Sequence, residues 1–106
     1  MGRRARGAGV PFSKPQAWQN FRATHAVGQV IRVRVVRHVP YGVVVSGVPD
    51  VFMVVDTVSL YDDANEFRAK GAPPPGFEAD AVIMDFYDDT LEVKLSFRKR
   101  DLPGRS

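Results

Sequence analysis

The chain has 106 residues, a formal net charge of +3 and no cysteine, so it suits one domain and excludes disulfides, thiolate metal sites and cysteine nucleophiles. Hydrophobic residues make up 44% of the chain and charged residues 25%, which is typical of a folded domain rather than a disordered one. No apolar run approaches the ~18 residues that a membrane span needs, and no apolar stretch follows the first arginines as it does in a signal peptide. We therefore expect a cytoplasmic protein that does not bind membranes.

Charge is unevenly distributed along the chain. Eight Lys and Arg residues precede the first acidic residue, Asp50, and eleven acidic residues then lie between Asp50 and Glu92. Five further cations follow, beginning at Lys94. This segregation predicts one surface that attracts a polyanion such as RNA and another that repels it. An acidic protein partner is the alternative that charge alone leaves open.

The N-terminal part is predicted to be a basic arm followed by a short helix. Residues 1–12 contain three arginines and three glycines without apolar periodicity, so we predict a flexible arm whose arginines contact phosphate. A helix is predicted over residues 13–24, with Ser13 as its N-cap and Gln16 returning the hydrogen bond of a capping box. Two aromatic residues three positions apart are expected to pack this helix against the core: Trp18 and Phe21.

From residue 27 the apolar period changes to two, which predicts β-strands. In the first strand Ile31, Val33 and Val35 alternate with Arg32 and Arg34, giving one buried side and one cationic side. Turn sequences then separate a second strand at residues 43–45 from a third at residues 51–55. A helical turn at residues 59–66 and a proline-rich connector at residues 71–76 follow the third strand.

Two more strands are predicted after this connector. On the fourth strand Val82, Met84 and Phe86 are expected to share one side. The fifth strand follows a turn, and its apolar side consists of Leu91, Val93, Leu95 and Phe97. This order predicts an all-β protein, a five-stranded antiparallel OB-fold barrel with a helical, proline-rich crossover between strands three and four. An up-and-down half-barrel and an SH3-like barrel also have five strands and are the alternatives.

The predicted organisation is a single domain with two basic termini. The arm covers residues 1–12 and the OB-fold domain residues 13–98, of which residues 27–98 form the barrel. A basic tail covers residues 99–106.

Several short motifs occur in a characteristic order between residues 27 and 98. They are Val27-Gly28-Gln29-Val30, Tyr41-Gly42-Val43-Val44-Val45, the segment from Gly47 to Val55, Gly76, and Leu95-Ser96-Phe97-Arg98. In this order they resemble the RNA-binding domain repeated in ribosomal protein S-one and found in polynucleotide phosphorylase and RNase E. The resemblance implies an OB fold and an RNA-binding protein accessory to translation or RNA metabolism. The high Arg, Ala, Val, Gly and Pro usage favours a bacterial source.

The resemblance also implies a binding face. In the family this face has two aromatics on strand two, a His or aromatic on strand three, an Asp before the last strand and a basic residue within it. Tyr41 stands at the first aromatic position and Asp88 at the Asp position, whereas Val44, Met53 and Glu92 replace the other three. The predicted stacking platform is therefore reduced relative to the family pattern.

Ten residues are the candidate RNA contacts. Tyr41 is expected to stack on a base, and the strand arginines are expected to bind phosphate because no acidic residue lies near them in the sequence. Packing of Tyr41 on its own barrel, a core position for Met53 and a solvated arginine face are the alternatives. The candidates are Tyr41, Arg32, Arg34, Arg37, His38, Phe52, Met53, Asp88, Lys94 and Arg98.

The sequence contains no catalytic motif, so we predict a non-enzyme without cofactor or metal. The acidic residues Asp62, Asp63 and Glu66 lack the loop glycine and ligand alternation of a calcium site. The expected partner is single-stranded RNA, bound by a monomer through basic residues and limited stacking, and the ribosome is a further candidate. The alternative function is an OB-fold protein-interaction module that has lost RNA binding, with an apolar patch of Val44, Phe52 and Met53 facing a protein partner.

Overall fold

Valine-rich alternation produces five strands, which close into a barrel in the part of the chain that the computed structural model describes, residues 10–103. The elements in chain order are α1 (Pro15–Thr24), β1 (Val30–Val39), β2 (Gly42–Ser46), β3 (Phe52–Asp56), α2 (Ala64–Lys70), β4 (Glu78–Tyr87) and β5 (Glu92–Ser96). Single 3-10 turns lie at Thr57–Ser59 and Lys99–Asp101. The predicted five-stranded barrel with two short helices is confirmed. Neither of the described helices is long and apolar enough to cross a membrane.

The strands are arranged around the barrel in the order β1-β2-β3-β5-β4, and β4 pairs with β1 to close it. The expectation of a purely antiparallel sheet is wrong, because β3 and β5 pair in parallel. The crossover that contains α2 carries the chain past one strand position to β4. The β4–β5 hairpin then inserts β5 between β4 and β3, so β5 runs in the same direction as β3. The other four pairings are antiparallel.

The interior of the barrel is filled by the inward-facing side chains of all five strands. Both aromatic residues predicted to dock α1 are buried, and Trp18 meets the ring of Phe86 edge-on at 6.1 Å between centroids. On β5 the predicted alternation is confirmed, since Val93 and Leu95 are buried in the core. The remaining core members from the strands are Val33, Val35, Val43, Val45, Met53, Val55, Ala81 and Ile83.

The predicted apolar side of β4 is wrong in its first half. Ala81 and Ile83 face the core, whereas Met84 is 40% exposed. The register between β4 and β5 shifts between Ile83 and Asp85, and a β-bulge of this kind reverses which residues point inward. After the bulge Phe86 packs against the core. The next residue, Tyr87, is therefore directed outward, and the strand alternation alone does not reveal this.

Ser13 does not cap α1. Lys14 is the N-cap residue and contributes no side-chain cap. The Ser13 hydroxyl instead donates to the Leu91 carbonyl oxygen at 2.5 Å and accepts from the Phe52 backbone N–H at 2.7 Å. Ser13 is 2% exposed, so its hydroxyl joins the segment before α1 to β3 and to the residue before β5.

The two predicted basic termini lie largely outside the described residues, which exclude residues 1–9 and 104–106. Within the described part, Val10 is half-buried and packs on the barrel. The start of the predicted tail is an ordered turn, because the Asp62 carboxylate accepts hydrogen bonds from the backbone N–H groups of Lys99 and Arg100, both at 3.1 Å. These hydrogen bonds, with that of Arg100 the stronger influence, lower the pKa of Asp62.

Candidate nucleic-acid interface

Two exposed tyrosines and one lysine form a cluster on the outer surface of the barrel. The Lys94 ammonium, on β5, lies 5.7 Å from the ring centroid of Tyr41 and 5.1 Å from that of Tyr87. Tyr41 is 50% exposed and Tyr87 42% exposed, while the Lys94 side chain is only 16% exposed. Each cation–π contact contributes ~0.5–1 kcal/mol at such sites. We call Tyr41, Tyr87 and Lys94 the tyrosine–lysine cluster.

The charge of Lys94 is already matched within the protein. Its ammonium lies 3.5 Å from a carboxylate oxygen of Asp56 and 3.5 Å from one of Glu92. One cation beside two carboxylates leaves little attraction for a phosphate. The cluster is therefore suited to stacking on bases rather than to neutralising a nucleic-acid backbone, and Lys94 acts by holding the two rings.

The position of Tyr41 depends on the glycine that follows it. A Cβ at Gly42 would lie 2.1 Å from the Val55 carbonyl oxygen, so only glycine allows β2 to approach β3 this closely. The Tyr41 carbonyl oxygen also accepts a hydrogen bond of 2.9 Å from the Thr57 N–H. Tyr41 is thus held between the start of β2 and the end of β3, with half of its surface open to solvent.

Next to the cluster lies a second apolar group, on the outer face of β2 and β3. It consists of Val44, Phe52 and Val54, which are all buried, and Val10 and Val39 pack against it. Val54 pairs with Val44 on one side and with Lys94 on the other. The position that the resemblance assigns to the second aromatic, Val44, is therefore covered by the protein itself. These side chains also do not form the exposed apolar patch expected for a protein partner.

Two of the predicted RNA contacts are inaccessible. Met53 is fully buried inside the barrel, and Phe52 is 6% exposed. The register of β3 explains the inward position of Met53, because successive residues of a strand point to opposite faces. Phe52 lies on the outer face and is buried by packing with Val44 and Val54. Val54 rather than Met53 occupies the outward position beside Val44. The core alternative for Met53 is thus the one that the structure supports.

The strand arginines have acidic partners that sequence distance concealed. β1 pairs with β4 so that Arg32 lies opposite Asp80 and Arg34 opposite Glu78. The closest N–O distances are 3.3 Å and 3.4 Å, and both pairs are solvent-exposed. The premise that no carboxylate can pair these arginines is therefore wrong, and the pairing favours the solvated-face alternative over a phosphate role.

Asp88 joins α1 to the barrel. The Arg22 guanidinium donates to both carboxylate oxygens of Asp88, at 2.9 Å and 3.2 Å, and lies 4.2 Å from the centroid of the Phe86 ring. The Arg22 hydrogen bond lowers the pKa of Asp88. The structure therefore gives Asp88 a structural role, although it follows Tyr87 directly in the chain.

The other candidates are distributed over the surface. The His38 ring Nε2 lies 2.8 Å from the Pro73 carbonyl oxygen, which ties β1 to the proline-rich connector. Arg98 donates to Asp101 at 3.0 Å, and the hydrogen bonds from Ser96 and then Arg98 lower the pKa of Asp101. Arg37 is exposed and lies directly opposite Val44, so it borders the outer face that also carries the tyrosine–lysine cluster.

The described part of the chain has a formal net charge of −1, the difference between 11 basic and 12 acidic residues. Residues 10–103 contain 11 of the 15 Lys and Arg residues and all 12 acidic residues. Within this part of the chain, eight of the 11 cations lie within 4.0 Å of a described carboxylate oxygen. The excess cations are Arg3, Arg4, Arg6 and Arg105. The excess positive charge of the chain therefore belongs to the terminal segments of the sequence.

Tyr87 is the functional candidate that sequence reasoning missed. It follows three residues of β4 whose facing is altered by the bulge, and no motif singles it out. The β4–β5 hairpin could have indicated Tyr87. In this antiparallel pair Tyr87 lies opposite Glu92, and Lys94 is two residues further along β5.

The barrel is similar to several solved structures. A chain of the a/eIF2alpha–aDim2p–rRNA complex from Pyrococcus horikoshii OT3 aligns with a TM-score of 0.60 and 15% identity, over 71% of this chain and 45% of that one. GSP13 from Bacillus subtilis aligns with a TM-score of 0.57 and 19% identity, over 78% of this chain and 65% of that one. For MJ1198 from Methanocaldococcus jannaschii the TM-score is 0.56 and the identity 15%, over 76% and 97%.

The chain has an OB fold. The strand order and the structural similarity establish this, and at identities of 15–19% the similarity shows the fold alone. This chain spans less than two thirds of the first two matched chains, at 45% and 65% of their lengths. No protein-family model matches the sequence, and no curated protein is similar to it.

Proposed function

We propose that this chain binds single-stranded RNA by stacking bases on Tyr41 and Tyr87. The observation that carries the proposal is the tyrosine–lysine cluster, in which one half-buried lysine holds two half-exposed rings on the outside of an OB barrel. Stacking of a base on an aromatic side chain contributes roughly 1–3 kcal/mol and tolerates any base. The binding is therefore weakly dependent on RNA sequence.

In this proposal the phosphate contacts come from Arg37 and from the N-terminal arginines. Arg37 borders the outer face, and the N-terminal arginines precede Val10, which packs on that same face. Because they lie four to seven residues before Val10 in the sequence, we propose that these arginines contact an RNA strand lying over the cluster. Because few charges contribute, we expect modest affinity and a measurable dependence on salt.

Two further observations support RNA over other ligands. One of the solved structures with this fold is a complex that contains an rRNA, and the sequence motifs resemble those of the S-one RNA-binding domain. The rival role as a protein-interaction module depended on Val44, Phe52 and Met53, which are buried. We further propose that the protein is a non-enzymatic, cytoplasmic, monomeric accessory to translation or RNA metabolism, with the ribosome as a possible site of action.

The proposal is tested by fluorescence anisotropy with a labelled 12-mer RNA of mixed sequence. Tyr41→Ala and Tyr87→Ala should each weaken binding by about 5- to 100-fold, from the loss of one stacking contact. Phe77→Ala is the matched control, since Phe77 is 44% exposed but lines a different cleft, of about 570 Å³, beside α2. Equal weakening by all three variants, or by none, would refute a stacking surface at the cluster.

A further inference from the structure

A cleft of about 360 Å³ opens between the 3-10 turn after β3, α2 and the segment after β5. Thr57 forms part of its wall and is the residue whose N–H binds the Tyr41 carbonyl oxygen. The cleft continues from the 3-10 turn at Thr57–Ser59 to α2 and to the segment after β5. Thr57 therefore connects the wall of the cleft directly to the backbone of Tyr41.

The lining of the cleft combines apolar side chains with guanidinium groups. Val58, Tyr61 and Phe67 provide apolar surface, and Val58 is 77% exposed. Arginines from two parts of the chain reach the same cleft, one from α2 and two from the segment after β5: Arg68, Arg98 and Arg100. Apolar surface next to guanidinium groups is the combination that accommodates a nucleotide, with the base on the former and the phosphate on the latter.

Charge pairing distinguishes one of these arginines from the other two. Arg98 is paired with Asp101 at 3.0 Å and Arg100 with Asp62 at 3.4 Å. Arg68 instead donates to the amide oxygen of Asn65 at 2.7 Å, and among the described residues it has no carboxylate within ion-pair distance. The second carboxylate of the lining, Asp63, accepts from the Asn65 backbone N–H. Arg68 therefore keeps both its full charge and free donors for an anion.

We infer that this cleft is a second nucleotide subsite, in which Arg68 binds the phosphate of the nucleotide adjacent to the one stacked on Tyr41. The inference rests on the proposed RNA binding at the tyrosine–lysine cluster and extends it to a defined neighbour. It also gives the bound strand a direction, from Tyr87 over Tyr41 and Thr57 towards α2. The subsite takes a phosphodiester of a single strand, because the function on which it rests is the stacking of unpaired bases on Tyr41 and Tyr87.

The test measures binding of an 8-mer RNA to wild-type protein, Arg68→Gln, Tyr41→Ala and Arg32→Gln. Arg68→Gln should weaken the 8-mer about tenfold, as expected for loss of a charged hydrogen bond, and should reduce the log–log salt slope by about 0.7, one phosphate on a single strand. Arg32→Gln, which removes an exposed and paired arginine from the β1–β4 seam, should change neither quantity.

The outcomes separate this inference from the function on which it rests. If Tyr41→Ala weakens the 8-mer and Arg68→Gln changes neither its affinity nor its salt slope, the subsite is refuted and RNA binding at the cluster stands. If Tyr41→Ala has no effect while Arg68→Gln does, the cluster is refuted and the adjacency argument fails with it. If no RNA binds at low salt, both are refuted.

Discussion

Removing the Ser13 hydroxyl tests how the N-terminal segment is fixed to the barrel. Ser13→Ala removes a group that is 2% exposed and leaves a buried Phe52 N–H and a part-buried Leu91 carbonyl without their partner. An unsatisfied buried polar group costs ~1–3 kcal/mol. We therefore expect the free energy of unfolding to fall by about 2–4 kcal/mol, a large part of the ~5–15 kcal/mol that is typical of a domain.

The assay is urea unfolding followed by the fluorescence of Trp18, the single tryptophan of the chain. The midpoint should fall without a large change in slope, and the thermal midpoint should drop by about 10 °C or more, at ~4–8 °C per kcal/mol for a domain of this size. Ser46→Ala is the matched control, since Ser46 is half-buried on β2 and its hydroxyl makes no hydrogen bond within residues 10–103. A loss below 0.5 kcal/mol for Ser13→Ala, or an equal loss for both variants, would show that the bridging hydroxyl is not what anchors the segment.

Three further results are expected. Gly42→Ala should lower the free energy of unfolding in urea by about 3 kcal/mol or more, because its Cβ would meet the Val55 carbonyl oxygen at 2.1 Å. Gly71→Ala, at φ +72° with open space around it, should lower it by only about 1 kcal/mol. Equal losses for the two variants would contradict the close approach of β2 to β3. Arg22 lowers the pKa of Asp88 from its ordinary 3.8, so the ion pair should stabilise the docking of α1 fully above pH 3.8 and less as the pH falls through the lowered pKa. In the wild type, Trp18 fluorescence should report this acid transition. The same transition in Asp88→Asn would contradict the role of the ion pair. Replacing Arg3, Arg4 and Arg6 by Gln should lower the log–log salt slope of RNA binding by about 2, and an unchanged slope would exclude these arginines as phosphate contacts.

The sequence predicts most of the barrel and less of its surface. Alternation of valines with polar residues correctly locates the five strands, and the spacing of Trp18 and Phe21 correctly predicts that α1 docks on the core. The parallel pairing of β3 and β5 is not encoded in either strand, because it results from the path of the crossover between β3 and β4. The bulge after Ile83 is likewise a property of the β4–β5 pair and reverses the facing that alternation alone predicts.

Single residues of the candidate site also depend on strand pairing that the sequence alone does not predict. Tyr41, predicted to stack on a base, is 50% exposed, and the glycine that follows it is required by a close strand approach. The partners of Arg32 and Arg34 lie about 45 residues away in sequence and become neighbours only through the β1–β4 pairing. Tyr87 becomes a candidate for the same reason, through its distance of 5.1 Å from the Lys94 ammonium. Side chains on different strands that lie close together can therefore be identified from the strand pairing, but not from the sequence of either strand alone.

The central claim is that single-stranded RNA stacks on the tyrosine–lysine cluster, and the most direct test is an amide chemical-shift map of the labelled protein during titration with a short single-stranded RNA. The account predicts the largest shifts at Tyr41, Tyr87 and Lys94, with little change at Arg32 and Arg34 on the β1–β4 seam. Shifts concentrated at that seam, with Tyr41 and Tyr87 unchanged at saturation, would contradict it.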